Sequence, residues 1–154
     1  MKSNSNDYLK YWRVIRQWIK VRYELNQSDL DMLLFLYSEQ YFGKDKFKEF
    51  SEIVSWDIKR FDRMLTKGWI ENFRAGRRGV KGLYCLSFKA KKMIASIYSK
   101  LNGEEIPMNA TNNPMFKKNV KYSDKVYRNF IKQMNAELKT NKLKEQGLRH
   151  APEL

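Results

Sequence analysis

The spacing of the apolar residues changes character at Gly68, and this change constrains the fold more than any single residue does. Upstream, apolar side chains recur at three- and four-residue steps, the pattern of helices that bury one face. Downstream, Trp69–Phe73 and Leu83–Leu86 are short strand-like runs on either side of Ala75–Gly82, a loop containing Gly76, Gly79 and Gly82. Short apolar runs around a glycine-rich loop predict a β-hairpin. Helical spacing returns after Ser87. The chain is therefore expected to be mainly α, with one small hairpin inserted among helices.

The helices can be placed by their stripes and caps. Asp7–Glu24 carries Tyr8, Tyr11, Trp12, Ile15, Trp18 and Ile19 on one face. That aromatic stripe suits either a core or the surface of a second copy. Ser28 is an N-cap candidate for a second helix running toward Phe42 and Gly43, with Asp29 and Asp31 near its positive end. Phe47–Val54 reads as a short third helix. Ser55 restarts the chain and can cap a fourth helix over Trp56–Lys67, with Ile58, Phe61 and Leu65 buried and Met64 at the margin, closed by Gly68. Ser87 caps a fifth helix to about Leu101, with a stripe of Phe88, Met93, Ile94, Ile97, Tyr98 and Leu101. Asn102–Asn119, with Gly103, Pro107, Pro114 and several asparagines, reads as a linker or extended arm. A last helix begins at Ser123, presents Val126, Tyr127, Phe130, Ile131, Met134 and Leu138, and is expected to end at Gly147. The resulting division is an N-terminal helix over residues 1–25, a central domain over 26–101, a linker over 102–122, and a C-terminal helix and tail over 123–154.

Helix, short helix, helix and hairpin in tight succession is the plan of a winged helix-turn-helix. In such a domain the helix before the hairpin buries one face and offers the other to the major groove. Ser55–Lys67 would be that helix. Its outward candidates are Ser55, Trp56, Lys59, Arg60, Arg63 and Lys67. Arg60 is the candidate for a bidentate guanine contact, and the lysines suit phosphate. The alternative is a solvated face on which Arg60 and Arg63 pair with Asp57 or Asp62. The wing contributes Arg74, Arg77, Arg78 and Lys81, which suit phosphate or a narrow minor groove; the alternative is a mobile, solvated tip.

Charge supports a polyanionic partner. Thirty-one basic residues against seventeen acidic ones give +14. The distribution matters more than the total, because a concentrated patch makes a footprint. No acidic residue lies between Glu71 and Glu104, a stretch that contains Arg74, Arg77, Arg78, Lys81, Lys89, Lys91, Lys92 and Lys100.

Arg63-Met64-Leu65-Thr66-Lys67-Gly68-Trp69-Ile70-Glu71 resembles the passage from recognition helix to wing in MarR-type winged-helix regulators. Leu86-Ser87-Phe88-Lys89-Ala90 is similar to that family's start of the helix after the wing. The likeness covers about Gln27–Leu101. It implies a homodimer joined through its terminal helices, here Asp7–Glu24 and Ser123–Gln146, and binding of one reading helix per half-site on palindromic duplex DNA. It also implies an effector pocket, for which Trp12, Trp18, Tyr37 and Tyr41 are lining candidates or, alternatively, core residues. The family's wing usually carries an acid that orients an arginine. Gly76-Arg77-Arg78-Gly79 has none, and base reading then falls mainly to the helix.

Other chemistries find little support. The one histidine, His150, lies in the terminal tail, and the one cysteine, Cys85, sits in a predicted strand as an expected core thiol. Metal-ligand spacing and phosphate-binding glycine loops of the Walker or dinucleotide type are absent from the sequence, so no metal, cofactor or enzymatic activity is expected. The chain has no apolar run of membrane-span length. The expected setting is cytoplasmic and nucleoid-associated. The competing reading is a winged-helix adaptor of a phage or nucleoprotein assembly, possessing a protein-binding arm over residues 102–154 and located in a virion.

Overall fold

Helices α1 (Tyr8–Tyr23), α2 (Gln27–Tyr37), α3 (Lys44–Ile53) and α4 (Ile58–Thr66) precede a hairpin of β1 (Ile70–Arg74) and β2 (Leu83–Leu86). Helix α5 (Phe88–Leu101), a 3-10 turn (Pro114–Phe116) and α6 (Tyr122–Arg149) complete the chain. The computed structural model describes residues 8–53 and 58–149. The fold is mainly helical with one small antiparallel sheet, and its hairpin follows α4 as the wing of a winged helix does. Residues 25–96 form one compact unit; residues 1–24 and 97–154 form the other.

In the central unit, α2 is capped by Asn26, not Ser28: the Asn26 side chain accepts the Asp29 amide at 2.8 Å. Moving the cap back two residues places Asp29 inside the first turn, where it is buried. The helix ends at Tyr37, well before Gly43. The chain leaves it because Phe42 exchanges two backbone hydrogen bonds with Tyr84 of β2, at 3.0 and 2.8 Å. That bridge carries Phe42 into the core beside Phe61, which also meets Phe47 and Tyr84 ring to ring. The third helix starts at Lys44, earlier than its apolar residues suggest.

Helix α4 is stopped by Gly68. Trp69 N–H reaches back to the Met64 carbonyl at 3.0 Å and Gly68 N–H to the Leu65 carbonyl at 3.1 Å, a Schellman arrangement with Gly68 at φ +79°. The hairpin buries only its base: Ile70 and Leu86 pair in register and are buried, while the residues toward the tip are exposed or half-exposed. Cys85 is therefore a half-buried thiol, not a core one. Ser87 caps α5 as expected, its hydroxyl accepting the Ala90 amide at 3.2 Å. Phe88, expected in the stripe of that helix, is exposed.

The terminal unit packs α1, the 3-10 turn and α6 together. Residues 102–122 are not an extended linker. Ile106, Asn113 and Met115 are buried, and the asparagines that suggested a loop act as clamps. The Asn135 amide accepts Ile106 N–H at 3.0 Å and donates to the Ile106 carbonyl at 2.9 Å. The Asn113 amide donates to the Pro107 carbonyl at 2.8 Å, and its oxygen caps the 3-10 turn. Trp18 and Arg22 both donate to the Asn112 carbonyl, at 3.1 and 2.8 Å, and Arg128 donates to the carbonyls of Met115 and Lys117. Gly147 does not end α6, which runs on to Arg149. From Lys139 to Gly147 every residue of that helix is exposed.

Candidate nucleic-acid interface

The apolar stripe of α4 decides which of its charges reach solvent. Phe61 and Met64 are fully buried, and Leu65 is only half-buried, the reverse of the order expected for the last two. Each helical residue turns about 100° around the axis. A stripe on Phe61 and Leu65 would centre roughly 120° from Arg60, whereas one on Phe61 and Met64 centres roughly 70° from it. Arg60 is thereby rotated onto the edge of the core.

It is held there. The Arg60 guanidinium bonds Asp29 Oδ1 at 3.1 Å and Asn26 Oδ1 at 3.3 Å, and its side chain is 19% exposed. The same Asp29 oxygen lies 3.7 Å from Arg63, and the Asp29 side chain is only 5% exposed. Asp29 thus fastens α4 to the first turn of α2, where the positive end of the α2 dipole favours its negative charge. Arg60 does not stand on the outer face as a base reader. Its described partners, Asp29 and Asn26, lie across the fold. The local sequence marks Asp29 only as a residue suited to the helix dipole and carries no signal of its role as an anchor.

Three of the other candidates fall differently. Lys59 and, just past the end of α4, Lys67 are exposed, and Arg63 remains 47% exposed despite Asp29. Asp62 shares that exposed surface. Ser55 and Trp56, together with the expected cap at Ser55, lie outside the described residues, as do Asp57 and the tail His150.

The wing presents Arg74, Arg77, Arg78 and Lys81, all exposed. Its tip is a hydrogen-bonded turn. Arg77 N–H donates to the Val80 carbonyl and Val80 N–H to the Arg77 carbonyl, both at 2.9 Å. Gly79 takes φ +80° at the position where a turn of this kind needs positive φ. Gly76 and Gly82 lie so close that a Cβ on either would approach the other's nitrogen to 3.3 or 3.2 Å. The glycines therefore build a defined tip, and Arg77 and Arg78 project from it. Lys81 is tied to Asp45 of α3, and that hydrogen bond, reinforced by the Lys81 charge, holds the Asp45 carboxyl below its ordinary range. Arg74 donates to the Lys81 carbonyl at 3.3 Å.

Two cavities lie away from these cations. In the terminal unit, a groove of about 490 Å³ between α1 and α6 is lined by Tyr11, Val14, Phe130 and Met134, among others. At its edge Glu137 accepts hydrogen bonds from Tyr11 and Lys10, which hold its carboxyl below the ordinary value. Trp12 and Trp18 do not line that groove. In the central unit, Tyr37 and Tyr41 both line a smaller cavity of about 230 Å³ with Leu86 and Lys91. Among the described residues there is no cluster of potential metal ligands and no helix long and apolar enough to cross a membrane. Compared with protein-family models, curated proteins and solved structures, the chain matches none.

Proposed function

We propose that this protein binds duplex DNA as a MarR-like winged-helix regulator, with α4 at the major groove and the hairpin as a basic wing. One observation carries the reading. Arg77 and Arg78 project from a hydrogen-bonded tip, beyond a helix exposing Lys59, Arg63 and Lys67, in a chain whose segment between Glu71 and Glu104 has no acid. Cations on a turn with a hydrogen-bonded backbone, together with those of a basic helix, suit contact with a groove and its phosphates. A homodimer through α1 and α6, with one reading helix per half-site, belongs to the same proposal.

The test is fluorescence anisotropy on random and palindromic duplexes across a salt series. Arg77→Glu and Arg78→Glu weaken binding to all sequences and flatten the salt dependence. Absence of duplex binding at low salt overturns the proposal. Light scattering tests the dimer, which a strict monomer excludes.

The adaptor reading is favoured by one feature, the exposed end of α6 from Lys139 onward. Residues 102–138 are engaged within their own unit, so a protein-binding arm reduces to that helix end. Loss of assembly with unchanged duplex affinity, after removal of residues 139–154, would decide for it.

A further inference from the structure

Phe73 is the residue that the hairpin register omits. Asn72 pairs with Tyr84 and Arg74 with Leu83, so Phe73 is the extra residue of a β-bulge. Bulges commonly re-aim a side chain at a working surface. Phe73 is 55% exposed and stacks on Tyr41, itself 51% exposed, with ring centroids 4.2 Å apart and planes inclined by 34°. Tyr41 also borders the 230 Å³ cavity with Tyr37, Leu86 and Lys91. A cavity of this size is below the ~300–1,000 Å³ of a drug-sized ligand site, and suits a single flat ring.

Lys91 lines the same cavity as Tyr41, and Arg74, next to Phe73 in sequence, is exposed, as is the acid Glu71 earlier on β1. The acid at the cavity, Glu39, lies 3.6 Å from Lys46, which also stands 3.5 Å from Glu49. Exposed aromatic faces set among backbone-neutralising cations form the pattern by which proteins hold single-stranded nucleic acid, because every base has a stackable face.

We infer that the Phe73–Tyr41 pair is a stacking platform for an unpaired nucleobase of single-stranded DNA, with Lys91 and Arg74 meeting the adjoining phosphates. The platform extends the duplex reading: a chain with both surfaces prefers a duplex bearing a single-stranded tail to a blunt one.

The experiment compares three fluorescent probes with the full chain at fixed salt: a blunt duplex, the same duplex with an oligothymidine tail, and the oligothymidine alone. A fourth carries an RNA tail of equal length. The tailed DNA is expected to bind more tightly than the blunt duplex. Phe73→Ala and Tyr41→Ala are expected to remove that advantage, by roughly 5- to 150-fold, the range of base–aromatic stacking, while blunt-duplex affinity stays within twofold. Phe73→Trp retains it. Both alanine variants change half-exposed residues, and circular dichroism checks that they remain folded. A tail advantage that survives both variants, or no advantage at all, overturns the platform. Tailed and single-stranded binding without blunt-duplex binding overturns the duplex reading and leaves the platform standing. An RNA tail bound more tightly than the DNA tail overturns the assignment to DNA.

Discussion

Removing Asp29 tests the rotation of α4 most directly. Deleting one partner of a buried ion pair costs about 3–5 kcal/mol, because the other charge is left uncompensated. Here water reaches part of the cluster: Arg60 is 19% and Arg63 47% exposed. That exposure lowers the expected cost of Asp29→Ala to about 2 kcal/mol. Arg60→Met keeps most of the stem packing and removes the charge. If Asp29 and Arg60 act on each other, the double variant is less damaged than the sum of the single ones, with a coupling of at least ~1 kcal/mol. Urea unfolding followed by tryptophan fluorescence supplies the cycle, and the central unit is read through Trp69, which is buried there. The chain has two units and need not unfold in one step, so the transition that moves must be assigned before free energies are taken. For a chain of this length about 2 kcal/mol corresponds to a shift of roughly 4–8 °C in Tm. Single effects that add to within ~0.5 kcal/mol would refute the reasoning, since Arg60 would then be an independent surface residue.

Other consequences follow from individual residues. Gly79→Ala, at φ +80° with open space around a new Cβ, should cost about 1–2 kcal/mol through backbone strain alone, read as a lower melting temperature. Asp45 should titrate below the ordinary aspartate range by NMR and return to it in Lys81→Ala. Because its folded value is the depressed one, the Lys81–Asp45 tie to the wing is fully present above the unfolded aspartate pKa and lost as pH falls through the lower folded value. Residues 139–147 are all exposed, and truncation after Leu138 should leave the thermal midpoint nearly unchanged.

The parts of the fold legible in the sequence are those decided locally. Gly68 and Ser87 are caps whose partners lie within five residues, and the hairpin is announced by its own glycines. What was not legible depends on distant partners. Asn26 and Ser28 are equally able to cap, and the choice falls to Asn26 in the arrangement that buries Asp29 against Arg60. Met64 and Leu65 are both apolar, so composition cannot say which belongs at the centre of the stripe. The asparagines of residues 102–122 look like turn formers; the bond from Asn113 to the Pro107 carbonyl, and the grip of Asn135 on Ile106, appear only once the chain is folded. Of the candidate site, the wing arginines and α4 lysines were found from charge alone, whereas Tyr41 and Phe73 meet only through the bulge and the Phe42–Tyr84 bridge.

The burial of Arg60 changes what kind of reader α4 can be. A bidentate guanidinium–guanine contact is the commonest way a groove helix distinguishes sequences. With Arg60 bound to Asp29, the described cations left on the helix are Lys59, Arg63 and Lys67, of which Arg63 alone has a guanidinium, and that one is already shared with Asp29. A lysine is a point charge suited to phosphate, and phosphate contacts carry position but no sequence. The proposed interface is therefore weighted toward backbone contact, with the wing arginines reading groove width more than base edges. Duplex affinity should accordingly fall steeply with salt, while discrimination between duplexes stays small and rests on Arg63. Arg63→Lys then separates the two contributions: it preserves the charge, keeps the salt slope, and erases whatever base preference the described part of the helix provides. A preference that persists in Arg63→Lys would place base reading elsewhere.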